Sequence, residues 1–378
     1  MINRKTITID FLHPWVYDQE SLLQILKICF PDRVLQEFDF VWTPRHPDYL
    51  IVSASHIISD TLFLNRLMTA ARPDTVTISF SDECVAPDLN IFDYALVFDR
   101  GLMLGDRVCR IPCLHFYRNN VKGWADVTTE DPNILLTQKT RFCNFIYSNS
   151  SGHPSRAELF HKISTYKRVD SLGKYLNNTG NETSRDDKNW DDLSIAMKNP
   201  YKFSIACENA TYKGYISEKL LTSFHAQTIP IYWGDPTVTE EFNPKAFINC
   251  HDYTNFDDVV ERVRQVDQDD DMWCAMIQEP HRTPEQIARY ECEIQSLTLF
   301  CNNIFSQDRK EAKRVGIGTM PSIYRKWFYS SAAVPYTFSQ RLRCYRYFVM
   351  SKISFGKSKK RYIEKYERLR LLQSKGDL

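Results

Sequence analysis

Long apolar segments are missing from this sequence of 378 residues. No stretch approaches the roughly 18 consecutive apolar residues that suggest a membrane-spanning helix. The apolar run near the start is short and is broken by Asp10, His13 and Pro14, which also argues against the apolar core of a secretory signal. We therefore expect the protein to stay in the compartment where it is made, which predicts a cytoplasmic location.

The sequence also lacks a cysteine pattern that would indicate zinc ligands or a disulfide framework. Its 11 cysteines are an odd number, scattered from Cys29 to Cys344. The closest pair, Cys109 and Cys113, has no second pair at zinc-ribbon spacing. Several others lie in apolar strand-like runs, where cysteine acts as a small hydrophobic residue, so we interpret the cysteines as reduced thiols.

The chain as a whole lacks a large excess of either charge, because its formal net charge is +1. Its C-terminal end, however, is strongly basic. From residue 341 onward the sequence has twelve Lys and Arg against three Asp and Glu, interleaved with tyrosine and phenylalanine. This composition predicts a basic aromatic tail, 341–378, that contacts an anionic surface such as the inner face of a membrane, with a solubilising or domain-packing segment as the equal alternative. A nucleic-acid-binding protein acting through this tail is an alternative from another class. The remainder of the chain is net negative and contains no recognised nucleic-acid motif, so we expect no nucleic-acid partner.

Strands and helices alternate through most of the sequence. Short runs rich in β-branched and aromatic residues predict strands at TITIDF, YLIVSAS, TVTISF and YALVFD, with helices at LLQILKICF and DTLFLNRLMTA. After a polar segment, a second block predicts strands at RFCNFIYSN, KFSIACEN, IPIYWG and AFINCHDY, with helices at ISEKLLTSFHAQ and FDDVVERVRQV. Such alternation is typical of doubly wound parallel sheets.

The pattern predicts an α/β protein with two doubly wound, Rossmann-like domains that face each other across a cleft. We place the first domain at residues 1–137, the second at 138–340 and the basic tail after them. Because ligands of such sheets bind at the carboxyl ends of the strands, we expect the chemistry just after TVTISF, RFCNFIYSN and KFSIACEN.

The most informative segment lies between Tyr201 and Tyr253. A predicted buried strand ends at Glu208 and Asn209, a polar loop follows, and a helix begins near Ser217. Backbone N–H groups at a helix N-terminus, with Lys219 in the first turn, can bind a diphosphate. Neighbouring acidic and tyrosine side chains could bind ribose hydroxyls or stack at the same rim. On spacing alone, however, a solvated first turn is the favoured explanation for the charged pair at 218–219.

The same segment resembles the signature of the α1,3/4-fucosyltransferases, glycosyltransferase family 10, including their Helicobacter-type bacterial members. The resemblance is carried by CENATYKGYISEK, IPIYWGDP and FNPKAFIN, which depart from the family pattern at Cys207 and Ala246. Weaker similarity covers RFCNFIYSN, the following PSRAELF segment and LNIFDYALVFD, so residues 75–300 can be placed on the family. The resemblance implies a GT-B architecture, with acceptor recognition in the first domain and GDP-fucose in the second.

Carried over position by position, the resemblance implies that Asn209, Tyr215, Glu218 and Lys219 bind the donor. Arg156 matches an arginine that reaches the diphosphate from the other side, where its planar fork is suited to phosphate oxygens. Arg156 and Lys219 would then neutralise the charge that develops on GDP as it leaves.

The general base implied by the resemblance is Glu83. It follows the predicted strand TVTISF in the segment SDECVAP, and the family carries its base as a glutamate four residues before a proline, here Pro87. Asp82 and Asp88 are the local alternatives because the matching loop is short. The base would accept the proton of the acceptor hydroxyl, a role that contributes about 10²–10⁴-fold to the rate.

The resemblance therefore implies an inverting transfer of L-fucose from GDP-fucose to an N-acetyllactosamine-like glycan, with an α1,3 linkage expected. We expect no required cofactor and assign no metal ligands, since the Asp-rich runs are interpreted as solvated surface; enhancement by a non-essential divalent metal stays open. The nearest alternative is a GT-B transferase that uses another nucleotide sugar, such as GDP-mannose. The pairing of the ENx5YxSEK and PxYWGxP segments favours fucose over that alternative.

Overall fold

The computed structural model describes residues 4–12, 18–44, 46–53, 74–81, 83–118, 130–180, 190–315, 345–347 and 349–350, and positions 358, 362 and 365. Most of the predicted basic tail lies outside the described residues, and so do Asp82 and the helix predicted from DTLFLNRLMTA. The described part of the chain forms two parallel sheets, each accompanied by helices, which confirms the predicted α/β class.

The first sheet has the strand order β2-β1-β3-β4-β5-β6, and all its pairings are parallel. The segments TITIDF, YLIVSAS, TVTISF and YALVFD form β1, β3, β4 and β5 as predicted. Strands β3, β4 and β5 are buried along their whole length, as expected where helices cover both faces of a parallel sheet. The strands are Lys5–Leu12 (β1), Phe38–Trp42 (β2), Tyr49–Ser53 (β3), Val76–Phe80 (β4), Tyr94–Val97 (β5) and Val108–Arg110 (β6), and the helices are Gln19–Cys29 (α1), Asp32–Glu37 (α2) and Cys113–Phe116 (α3).

The second sheet has the order β11-β10-β9-β7-β8 and is also parallel. The helix predicted from FDDVVERVRQV is confirmed; its four valines are buried and its N-terminus is capped by Asn255. The strands are Arg141–Phe145 (β7), Val169–Ser171 (β8), Tyr201–Cys207 (β9), Ile229–Trp233 (β10) and Ile248–Asn249 (β11), and the helices are Pro132–Gln138 (α4), Ser155–Tyr166 (α5), Trp190–Lys198 (α6), Glu218–His225 (α7), Phe256–Gln268 (α8) and Asp270–Gln278 (α9).

Two further helices, Pro284–Ser306 (α10) and Arg309–Ala312 (α11), follow the second sheet in sequence but pack on the first. Leu297, Cys301, Ile304 and Phe305 of α10 are buried in the same apolar core as β1, β3 and β4. The Phe305 ring packs edge-on against several aromatic rings of that core. The chain therefore returns to the first sheet after completing the second.

No helix of the described residues is both long and apolar enough to cross a bilayer. The ten cysteines that the structure describes are all unpaired, in agreement with their interpretation as thiols.

A buried lysine links α6 to α7. Lys198 is buried, and its ammonium group donates to Thr222 Oγ1 at 2.5 Å and Ser223 Oγ at 3.3 Å. Burial lowers the pKa of Lys198 to about 7, although the carboxylate of Glu218 opposes the shift. The unfolded chain, with the ordinary lysine pKa, therefore binds more protons than the folded chain between pH 7 and 10. The contribution of Lys198 to stability is accordingly lost as the pH falls through 7.

We expect the free energy of unfolding to rise by about 2 kcal/mol more in the unaltered protein than in Lys198→Met when the pH is raised from 7 to 9. Denaturant unfolding of both proteins at several pH values measures this difference. Lys27→Met, which replaces an exposed lysine of α1, should follow the unaltered protein. Parallel pH dependences for Lys198→Met and the unaltered protein would contradict the assignment.

Candidate active site

A buried carboxylate lies directly after β9. Glu208 is fully buried, and its oxygens accept hydrogen bonds from the Ser217 backbone N–H at 2.8 Å and the Ser217 hydroxyl at 2.6 Å. Lys219 Nζ lies 3.3 Å from Glu208 Oε2. Burial raises the pKa of Glu208, while Lys219 and the bonds from Ser217 oppose that shift. The carboxylate thus ties the end of β9 to the first turn of α7.

The N-terminus of α7 presents Glu218 and Lys219 side by side. Their side chains retain 16% and 19% exposure, so both reach solvent at the carboxyl edge of the second sheet. Lys219 Nζ donates to Ser217 Oγ at 2.8 Å and lies 3.5 Å from Glu218 Oε1. Burial alone would lower the pKa of Lys219, but the neighbouring carboxylates outweigh it and raise that pKa. A permanent cation therefore stands at the N-terminal end of the helix, where the helix dipole favours an anion.

Arg156 approaches the same edge from the start of α5. Its guanidinium group is buried, lies 4.3 Å from the centre of the Tyr147 ring, and donates to Asn209 Oδ1 at 2.5 Å. A Cβ atom on Gly152 would lie 2.4 Å from Arg156 Nη1, so a side chain there would displace the guanidinium group. Among the described residues no acceptor lies within hydrogen-bond distance of the buried Arg156 Nε.

Glu83 is supplied by the first sheet, in the loop after β4. Its Oε2 accepts hydrogen bonds from Tyr215 OH at 2.9 Å and from Asn209 Nδ2 at 3.2 Å, although the residue itself is exposed. Burial and the negative charges of Glu208 and Glu83 raise the pKa of Tyr215, so its phenol stays protonated and donates to the carboxylate. The Glu83 carboxylate, which follows β4 of the first sheet, is therefore in direct contact with two residues that follow β9 of the second sheet.

A segment after β5 holds the halves together beside this contact. The backbone carbonyl of Phe98 comes so close to Gly214 that a Cβ atom there would lie 2.3 Å from the oxygen, and Gly214 has a φ of +89°. Both facts require glycine at this position. The Phe98 ring also packs edge-on against Tyr215, with centroids 5.3 Å apart. Phe98, which follows β5 of the first sheet, thereby holds the Tyr215 ring in place.

Two residues later, Arg100 forms buried ion pairs with the loop after β10. Arg100 Nη1 lies 2.5 Å from Asp235 Oδ2 and donates to Thr237 Oγ1 at 2.6 Å, and its other amino group contacts Glu241. Arg110 of β6 contacts Glu241 as well. This network clamps the Gly-Asp-Pro turn of the second sheet to the first.

All six predicted site residues lie at the carboxyl edge of the second sheet or against it. The structure brings Glu83, Asn209 and Tyr215 into direct contact, joins Arg156 to Asn209, and pairs Glu218 with Lys219. Sequence reasoning gave no role to Glu208, Phe98 or Arg100. Of these three residues, only Glu208 could have been identified from the sequence, because it is an acidic residue at the end of an otherwise apolar strand.

The alternatives to Glu83 occupy different positions. Asp82 lies outside the described residues, whereas Asp88 accepts a bond from the Asn90 backbone N–H at 2.9 Å and so caps its own turn. Of the Asp-rich runs, Asp269 caps α9 by accepting from the Met272 backbone N–H. Within the described ranges no group of three or more His, Cys, Asp or Glu residues is arranged to hold a metal ion.

The donor half of the site falls within a family match. Residues 136–316 match the sequence model of glycosyltransferase family 10 (fucosyltransferase), C-terminal part. The chain is 27% identical over 239 residues to an alpha-(1,3)-fucosyltransferase of Helicobacter pylori, covering 54% of this chain and 48% of that protein. It is 26% identical over 213 residues to the GDP-fucose protein O-fucosyltransferase 3 of Homo sapiens, covering 51% of this chain and 40% of that one. The chain thus spans half or less of the length of these relatives.

The whole fold also has a solved counterpart. The crystal structure of an alpha1,3-fucosyltransferase with GDP-fucose superposes with a TM-score of 0.62 at 20% sequence identity, covering 82% of this chain and 93% of that one. Such a match extends over both sheets, and the predicted GT-B architecture is confirmed. The fold is GT-B, and residues 136–316 are similar to the C-terminal part of glycosyltransferase family 10.

Proposed function

We propose that the protein is an inverting fucosyltransferase that moves L-fucose from GDP-fucose to a hydroxyl group of an N-acetyllactosamine-like glycan, with α1,3 linkage. The observation that carries the proposal is the contact of Glu83 with Asn209 and Tyr215, beside the cationic N-terminus of α7. A carboxylate that can accept a proton then faces a site suited to a diphosphate. The family match over residues 136–316 supports GDP-fucose as the donor.

In the proposed reaction the acceptor oxygen attacks C1 of fucose while the bond from C1 to the GDP oxygen breaks. The proton of the acceptor hydroxyl passes to Glu83, and the electron pair of the broken bond leaves with GDP. A single in-line displacement of this kind inverts the configuration at C1. Tyr215 and Asn209 hold the Glu83 carboxylate by two hydrogen bonds, so its orientation is fixed before substrate arrives.

The second half of the site would stabilise the leaving group. Lys219, Arg156 and the N-terminus of α7 supply positive potential for the diphosphate. Glu218 is placed to accept hydrogen bonds from the ribose hydroxyls. Because two fixed cations can balance the charge on GDP, we propose that transfer requires no metal, with any divalent ion acting only as an enhancer.

Nucleotide binding tests the proposal directly. We expect GDP and GDP-fucose at 100 times their Kd to stabilise the protein by about 2.7 kcal/mol, and UDP-galactose at the same concentration to stabilise it less. Thermal unfolding with each nucleotide measures the difference, and transfer to N-acetyllactosamine should persist in EDTA. A larger shift with UDP-galactose would exclude the GDP-fucose assignment, and complete loss of transfer in EDTA with recovery in manganese would contradict the metal-independent mechanism. Assays with a peptide acceptor beside the glycan separate the two acceptor classes named among the relatives.

A further inference from the structure

An exposed aromatic ring lies beside the Glu83 site and has no part in the mechanism above. Tyr212 lies in the loop between β9 and α7, and 48% of its surface is exposed, which makes it one of the most exposed large side chains of the second half. Large aromatic rings that stay in water near a reaction centre offer an apolar face to a ligand. The exposed ring of Tyr212 is therefore a candidate contact for a ligand.

Tyr212 is held rigidly although it is exposed. Its ring packs edge-on against Phe98, with centroids 5.9 Å apart, and the neighbouring carboxylate of Asp99 raises the pKa of its hydroxyl group. Asp99 is itself fixed, because its Oδ1 accepts from the Gly101 backbone N–H at 2.7 Å. A ring anchored at its edge loses little conformational entropy when a ligand binds its open face.

The ring is also adjacent to the proposed base. The carbonyl of Tyr212 accepts a hydrogen bond from the Tyr215 backbone N–H at 3.1 Å, and the Tyr215 hydroxyl donates to Glu83. On the other side, Tyr212 lies within electrostatic range of the Cys84 thiol, the next residue after Glu83. Tyr212 thus stands at the rim of the Glu83 carboxylate, on the side formed by the first sheet.

We propose that Tyr212 is the stacking platform for the acceptor sugar. The C–H groups on one face of a pyranose ring form an apolar surface that packs on an aromatic ring, while the hydroxyl groups at its edge remain free to reach Glu83. Asp99 adds a carboxylate that can accept a hydrogen bond from the same sugar. The proposal rests on the proposed function, because it identifies the acceptor subsite of that reaction.

Replacement of Tyr212 tests the proposal through its effects on the KM for the acceptor and on the KM for GDP-fucose. Tyr212→Ala is expected to raise the acceptor KM about tenfold, the effect of removing one aromatic stacking contact of about 1.4 kcal/mol. The KM for GDP-fucose should change less than about twofold, since the ring does not contact the proposed diphosphate site. Tyr212→Phe and Tyr212→Trp keep the aromatic face and should restore most of the acceptor affinity, whereas Tyr212→Leu should behave like the alanine variant.

The controls separate this proposal from the function on which it rests. Leu299→Ala, which truncates an exposed apolar side chain on α10, should leave both constants unchanged. An unchanged acceptor KM in Tyr212→Ala would overturn the platform, and so would an equal rise in both constants, which would mean that the ring only supports the donor loop. If the unaltered protein showed neither a thermal shift with GDP nor hydrolysis of GDP-fucose, the proposed function itself would fail, and the platform with it.

Discussion

Replacing Glu83 by glutamine is expected to lower kcat by about 100-fold or more while the affinity for GDP-fucose changes by only a few fold. Glutamine keeps an oxygen that can accept from Tyr215 OH and Asn209 Nδ2, so the contact between the two halves should survive. What the amide cannot do is take the proton of the acceptor hydroxyl. Steady-state kinetics with an acceptor glycan, together with GDP-fucose binding, measures the two quantities separately.

Asp88→Asn is the matched control, because it removes a carboxylate that caps its own turn in the same loop. It should retain turnover if Glu83 is the base. Near-normal turnover in Glu83→Gln would instead move the role to Asp88 or Asp82. A parallel loss of GDP-fucose binding and activity would show that Glu83 holds the sugar or the fold rather than the proton.

The sequence predicted most of the central strands because their residues are both apolar and β-branched over five or more positions. It missed β2, β6 and β8, of which β6 and β8 have only three residues, too few for a periodic pattern. It also predicted a longer strand at AFINCHDY than the two residues of β11, whose neighbours form tight helical turns at 244–246 and 250–252. Short edge elements are set by tertiary packing, which local composition does not encode.

The candidate site, like the fold, was predicted from the sequence only in part. Local residue types and the family resemblance indicated Glu83, Arg156, Asn209 and the Tyr215–Lys219 segment, which the structure brings to one edge. They did not indicate that Glu83 contacts Asn209 and Tyr215 directly. The contact depends on how the two sheets dock, through Phe98 and Arg100, more than 100 residues from their partners along the chain. A local sequence pattern does not predict contacts between residues so far apart along the chain.

Replacing Lys219 by methionine is expected to have two separable effects. It removes a cation from the proposed diphosphate site, which should weaken GDP-fucose binding about tenfold or more, the value of one charge-assisted hydrogen bond. It also leaves Glu208 buried without its ammonium partner, which should lower the free energy of unfolding by about 3 kcal/mol. Burial already raises the pKa of Glu208, and loss of Lys219 raises it further. A folded-state pKa above the unfolded value means that stability falls as the pH rises, so the loss should be greater at pH 8 than at pH 5.

The double variant Glu208→Gln with Lys219→Met separates the structural effect from the functional one. Its amide oxygen can still accept from the Ser217 N–H and its amide NH2 can donate to the Ser217 hydroxyl oxygen, but the side chain carries no charge to neutralise, so most of the lost stability and its pH dependence should disappear. GDP-fucose binding should remain weak, because the cation is still absent. Denaturant unfolding at pH 5 and 8, with nucleotide titrations of the single and double variants, gives both readouts. Recovery of donor affinity along with stability would mean that Lys219 only supports the fold, and that Arg156 and the helix N-terminus alone bind the diphosphate.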